Sequence, residues 1–91
     1  MKELPTDVAP YKNTPTFSET TIPGALLKSH TTKAGTWGKI VVLEGALRYR
    51  ILEPQLEQVE LSPNKHGVVE PTIAHEVEPQ GKVSFFVEFY K

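Results

Sequence analysis

Eight prolines punctuate the chain, at positions 5, 10, 15, 23, 54, 63, 71 and 79. Each fixes φ and lacks a backbone donor, so none suits a helix interior or a central strand. Residues 24–53 run free of proline, but Gly35, Gly38 and Gly45 interrupt them. Together these breaks exclude a helical bundle. What remains is a series of short β-type runs separated by turn chemistry, which argues an all-β antiparallel sandwich or barrel.

With 91 residues there is one domain and a thin core, because a chain of this size buries only about 60–65% of its unfolded surface. No composition shift or internal repeat marks a second unit. Residues 1–15 read as an extended N-terminal arm that wraps the body or crosses to a partner, and residues 16–91 as the domain itself. Hydrophobic residues are 38% and charged residues 23%, an ordinary globular balance. Ten Lys and Arg against eleven Asp and Glu give a net charge of −1, with no basic stripe for nucleic acid. The absence of cysteine excludes disulfides, thiolate catalysis and Cys-based zinc sites. The longest apolar run, Ile40–Leu43, is far short of the ~20 residues of a membrane span, and no leader precedes it. A cytoplasmic protein with no membrane partner is the expectation.

Along the chain, Thr16–Thr21 and Ile22–His30 each read as a strand, and Thr31–Gly38 as a loop. Lys39–Leu43 and Ala46–Leu52 form the clearest pair, joined by Glu44-Gly45 as a tight hairpin turn. Leu47, Tyr49 and Ile51 alternate with Arg48 and Arg50, the period of a half-buried strand. Glu53–Gln58 suits a helical turn, Gln58–Leu61 a strand and Ser62–Gly67 a loop that exposes His66. Lys82–Tyr90 is the most β-prone segment. Glu78-Pro79-Gln80-Gly81 suits a type I turn, which would pair Glu78 with Lys82 and His75 with Phe85. Cross-strand partners share a face. On that pairing His75, Val77, Phe85, Val87 and Phe89 point inward, while Glu76, Glu78, Phe86, Glu88 and Tyr90 point outward.

Two stretches resemble a known family: His30-Thr31-Thr32-Lys33-Ala34-Gly35-Thr36-Trp37-Gly38-Lys39 running on to Tyr49, and Val69–Glu78. Together with Tyr11-Lys12, Thr14-Pro15 and Phe89-Tyr90, they are similar to the small TehB-like cupin domain associated with tellurite resistance. That domain also occurs as stand-alone YeaR-type proteins. The resemblance implies a single small cupin, a double-stranded β-helix or jelly-roll barrel. In larger family members the domain precedes a methyltransferase domain that uses S-adenosylmethionine. No glycine-rich loop here leads from a strand into a helix, so that activity is not carried over.

The resemblance also implies where a ligand would sit. Cupins hold a divalent metal with an H-x-H…E set and a later His. His75 matches the later His and His30 one of the first pair. Thr32 stands where a second His is usual, and Gly38 where the Glu is usual. The expected pocket is His30, Thr32, Lys33, Trp37 and His75, with His30 and His75 as metal ligands and Glu88 as a third. One divalent metal (zinc, iron or nickel) suits neutral imidazoles, although two His alone make a weak site. A metal-free small-molecule pocket and ordinary hydrogen-bonded histidines are the other readings. Trp37 is either a pocket wall or a plug of the core. Lys33 and Lys39 either attract an oxyanion or are simply solvated. The outward hairpin face argues against Glu88, and a one-residue register slip would reverse that. Ser18, Ser29, Ser62 and Ser84 lie in no nucleophile elbow.

The first functional expectation is a stand-alone binding module, not an enzyme, holding a small molecule, oxyanion or metal in a stress or oxyanion-resistance role. The rival is a small metal-dependent cupin enzyme of oxygenase or isomerase type using His30 and His75. A third is an interaction domain that regulates a separate methyltransferase. Phe86 and Tyr90 on the outward face, together with the pairing habit of cupins, imply a homodimer.

Overall fold

In the computed structural model, which describes all 91 residues, six strands and one helical turn form. The strands are β1 (Pro10–Asn13), β2 (Phe17–Ser18), β3 (Trp37–Ile51), β4 (Glu57–Leu61), β5 (Gly67–Val69) and β6 (His75–Tyr90). All pairings are antiparallel, in the order β1-β6-β3-β4, with β2 also on β6 and β5 also on β3. No helix is long and apolar enough to cross a membrane. The ladder starts at β1 and ends at β4 without returning on itself, so the closed barrel expected from the resemblance does not form. Pro10, Lys12 and Asn13 pair with Tyr90, Phe89 and Glu88 along one edge of β1, and no ladder joins its other edge to β4.

Two long strands organise everything else. β3 and β6 pair from Trp37 opposite Tyr90 to Ile51 opposite His75. Both expected hairpins are therefore absent, and each turn-like sequence is a bulge within a continuous strand. Val42 faces Phe85 while Glu44 faces Ser84, so Leu43 is the extra residue in β3. Gly45 faces Val83 while Leu47 faces Pro79, so Gln80-Gly81-Lys82 stand opposite Ala46 alone. Gly45 and Gly81 have φ of +81° and +78°, the left-handed conformation that a tight turn would equally have used. A Cβ on Gly45 would also run into the Lys82 carbonyl.

The bulges explain the burial pattern. In β3 the buried positions are Gly38, Ile40 and Val42 before the bulge, then Leu47 and Tyr49 after it. One extra residue moves the inward parity from even to odd. β6 has two extra residues, so Val77, Val83, Phe85 and Val87 all stay inward. The bent ribbon thereby closes over one core built from Ile40, Val42, Leu47, Tyr49, Leu61, Val69, Val77, Val83, Phe85 and Val87.

The connections differ from expectation where proline or a local hydrogen bond intervenes. The strand expected over Ile22–His30 is instead a 3-10 turn, Gly24–Leu27, opened by Pro23, whose carbonyl accepts the Leu26 N–H at 3.0 Å. The expected strand Thr16–Thr21 shortens to β2, because the Thr21 N–H folds back to the Ser18 carbonyl at 3.0 Å. No helical turn forms over Glu53–Gln58, where the Glu53-Pro54 bond is cis. Residues 1–15 run along the body: β1 extends the sheet and the Met1 ammonium pairs with Glu57.

Candidate functional site

Residues 28–33 have no strand of their own, yet His30 is held firmly. Its N–H donates to the His75 carbonyl at 2.7 Å, and its carbonyl accepts the return bond from the His75 N–H at 2.9 Å. The Thr72 N–H donates to the Thr32 carbonyl at 3.0 Å, extending the same antiparallel contact. Thr72 adopts φ of 65°, which turns the Pro71–Ala74 loop into this position. The two imidazoles then meet edge to face, with ring centroids 5.4 Å apart at 84°. The sequence stretches that carry the family resemblance are thus brought together by backbone hydrogen bonds.

His75 is 5% exposed, and its Nδ1 lies 3.1 Å from the Ile73 carbonyl. That contact assigns the proton to Nδ1 and leaves Nε2 as an acceptor. No buried side-chain nitrogen or oxygen lacks a partner, and His75 lines the adjoining cavity. Burial pushes the His75 imidazole below the usual range; the Ile73 hydrogen bond opposes this and the nearby His30 adds to it. Tyr49 packs against His75 with centroids 6.0 Å apart, and its hydroxyl donates to the Val68 carbonyl at 2.9 Å. Desolvation, reinforced by Glu70 and Glu57, raises the Tyr49 phenol and keeps it neutral.

The cavity beside the two histidines is narrow, about 40 Å³, and its walls include Thr14, Leu26, Ile40, Val69, Phe85 and Phe89. At ~10–15 Å³ per water it accommodates a few waters. His30, Thr32 and His75 line it. The Thr32 hydroxyl is occupied, donating to the Thr36 carbonyl at 2.9 Å. Lys33 is exposed and borders a shallow outer depression with Tyr11, Lys12 and Thr36. Trp37 opens β3 opposite Tyr90, on the face turned away from the cavity, and Gly38 takes the lining position. A Cβ on Gly38 would lie 3.2 Å from that of Val69, so glycine helps keep the wall thin.

Glu88 lies on the outer face opposite Lys39, and accepts a hydrogen bond from the Tyr90 hydroxyl at 2.7 Å. It cannot complete a ligand set with His30 and His75. Nowhere do three His, Cys, Asp or Glu side chains gather closely enough to hold a metal ion. Tyr49 is the neighbour of His75 that the sequence reading missed. Its inward parity was legible, but its proximity to His75 depends on Tyr49 facing Val77 across the ladder. Thr14 and Leu26 carry no local signal at all.

Residues 12–87 match the family model described as TehB-like domain. Over 72 residues the chain is 35% identical to a probable S-adenosyl-L-methionine-dependent methyltransferase TehB from Haemophilus influenzae, strain Rd, covering 75% of this chain and 25% of the relative. The TehB of strain 10810 matches to the same extent. The crystal structure of Haemophilus influenzae TehB superposes with a TM-score of 0.85 at 30% identity, over 93% of this chain and 32% of that one. A structure from E. coli K12 superposes with a TM-score of 0.88 over 100% of this chain and 97% of its own, and at 19% identity shows the fold alone. The chain therefore spans about a quarter to a third of the TehB proteins it matches.

These findings correct two expectations. A stand-alone module binding a small ligand or metal inside the barrel is overturned, as is its metal-dependent enzyme rival, because the relatives are named for methyl transfer. The expected zinc, iron or nickel is overturned as well. The cofactor in the relatives' name is S-adenosyl-L-methionine, and two imidazoles without a third ligand make no metal centre here.

Proposed function

The chain belongs to the TehB-like domain family, and from that premise we propose that it serves S-adenosylmethionine-dependent methyl transfer as an accessory β domain. On this reading it supports a methyltransferase and leaves both cofactor binding and the transfer itself to that partner region. The observation that carries the reading is the extent of the match: 75% of this chain corresponds to only 25% of a relative named for the whole activity.

The cavity beside the two histidines does not fit the cofactor. A cavity of about 40 Å³ has no room for an adenosine-bearing molecule. Dinucleotide and nucleoside sites of the doubly wound type use a glycine-rich loop and a helix N-terminus after a parallel strand. Every strand pairing here is antiparallel, and the helical content is the four-residue 3-10 turn Gly24–Leu27. No step of methyl transfer is therefore assigned to His30, His75 or Tyr49. We read the open sheet as a cupin-type jelly roll, supported by the two opposed bulges that fold the β3–β6 ribbon over its own core.

The test is a replacement. A chimera of Haemophilus influenzae TehB carrying this chain in place of the matching quarter is expected to retain S-adenosylmethionine-dependent methyl transfer. The same TehB lacking that quarter is expected to lose most of it. Equal rates in the two proteins would overturn the accessory role. Calorimetric titration of S-adenosylmethionine into the 91-residue chain alone is expected to show no binding.

A further inference from the structure

Every edge strand but one has its outward backbone groups occupied or guarded. Val68 in β5 spends its N–H on the Met1 thioether at 3.2 Å and its carbonyl on the Tyr49 hydroxyl at 2.9 Å. In β2 the Ser18 N–H donates to the Thr21 hydroxyl at 2.7 Å, and its carbonyl accepts the Thr21 N–H at 3.0 Å. β1 opens on Pro10, which has no donor, and Pro15 soon follows it. These are ordinary ways of keeping a sheet edge from recruiting another strand. β4 has none of the three.

The register fixes which groups of β4 are free. Both backbone groups of His75 go to His30, so Ile51 opposite it turns its own toward Glu57. Alternation then joins Tyr49 to Val59 and Leu47 to Leu61, and the donor-less Pro79 stands opposite Leu47 as that requires. The N–H and carbonyl groups of Gln58 and Glu60 therefore point away from β3, and no hydrogen bond within the chain uses them. The free run stops at Ser62, whose N–H and carbonyl both close on Lys65. Side chains add a sign to this edge. On the outer face Glu60, Glu76 and Glu78 stand against only Arg48 and Arg50. The excess carboxylate falls at the edge, where Glu60 reaches Arg48 alone, at 3.7 Å, and is 53% exposed. On the other face Val59 is half-buried, and a groove at the start of β4 has Ile51, Pro54 and the exposed Leu56 in its wall.

We propose that the β4 edge docks an extended segment of a partner protein, which adds one strand to the sheet. Its outward Lys or Arg sits beside Glu60, and its inward aliphatic side chains sit beside Val59. Gln58 and Glu60 supply the main-chain donors and acceptors that such β-augmentation needs. The basic residue continues the row Glu78, Arg48, Glu60 with alternating sign. A second copy of β4 is the wrong occupant, because it brings another Glu60 to an edge already in carboxylate excess. The site is at the opposite edge of the sheet from His30 and stands independently of the methyl-transfer reading.

Amide hydrogen exchange followed by NMR tests the proposal, with a capped seven-residue peptide of alternating Val and Lys as the probe. In the chain alone the Gln58 and Glu60 amides are expected to exchange fast, between protected amides at Val59 and Leu61. Saturating peptide is expected to slow both. The same peptide with Glu in place of Lys is expected to bind about tenfold more weakly, because an attractive cross-strand pair becomes a repulsive one. E60Q is expected to bind the two peptides alike, and E60K to reverse the preference; protected Val59 and Leu61 amides show that each variant is folded. No slowing at millimolar Val-Lys peptide overturns the proposal. So does equal affinity of the wild type for the two peptides, or a folded E60Q or E60K with unchanged preference. Gln58 and Glu60 amides that are protected without peptide, increasingly with protein concentration, assign the edge to a second copy and overturn it as well.

Discussion

The His75 imidazole gives up water on folding and regains one hydrogen bond, to the Ile73 carbonyl at 3.1 Å. Because burial disfavours the cation, the folded group titrates below its ordinary value of 6.5. Below pH 6.5 the unfolded chain takes up the proton before the folded one does. The stability tied to neutral His75 is therefore complete above that pH and declines as pH falls toward the folded value. Thermal melts between about pH 8 and pH 5 are expected to show this fall, and His75→Gln to flatten it. Identical profiles for the two proteins would place the acid sensitivity elsewhere. That His75 points inward was readable from the alternation His75, Val77 with Phe85, Val87, even though the hairpin invoked for it does not exist. The two extra residues in β6 leave its parity unchanged, so a wrong turn led to the right face.

At the level of elements, the bulge pair at Leu43–Gly45 and Gln80–Lys82 does the work that a barrel corner needs: it bends both strands at one place. Its two glycines share a left-handed φ but differ in surroundings. Gly81 has nothing within 4 Å of the place a Cβ would occupy, whereas Gly45 faces the Lys82 backbone. Gly81→Ala is expected to cost about 1–2 kcal/mol, the conformational penalty alone. Gly45→Ala is expected to cost roughly 2–4 kcal/mol, since the β3–β6 ladder must shift as well. Urea denaturation midpoints compare them directly, and equal costs would remove the close approach from the account. Glu-Gly and Pro-Gln-Gly carry the same local chemistry in a hairpin as in a bulge, which is why these elements were misread from sequence.

Taken whole, the molecule has no half that stands alone. β3 and β6 pass through both sides of the bend, and ten buried residues form one cluster drawn from both. Only 14 of 91 residues are buried, so neither side has a core to spare. Thermal unfolding is expected to be a single transition whose calorimetric and van't Hoff enthalpies agree. Two separated transitions would show that the sides unfold independently.

Proline and glycine placement and period-2 alternation were enough for the β class, for the inward set Leu47, Tyr49, Val77, Phe85 and Val87, and for the outward Glu88. Those are local properties: a fixed φ, a missing donor, a side chain on one face or the other. The stretches around His30 and His75 were also enough to point to the family that the match over residues 12–87 establishes. Whether Gly45 turns a hairpin or kinks a strand is decided by what lies opposite it. So are the open edge between β1 and β4 and the 5.4 Å approach of the two imidazoles. Each depends on hydrogen bonds between segments far apart in the chain, and no local pattern encodes which distant backbone will supply them.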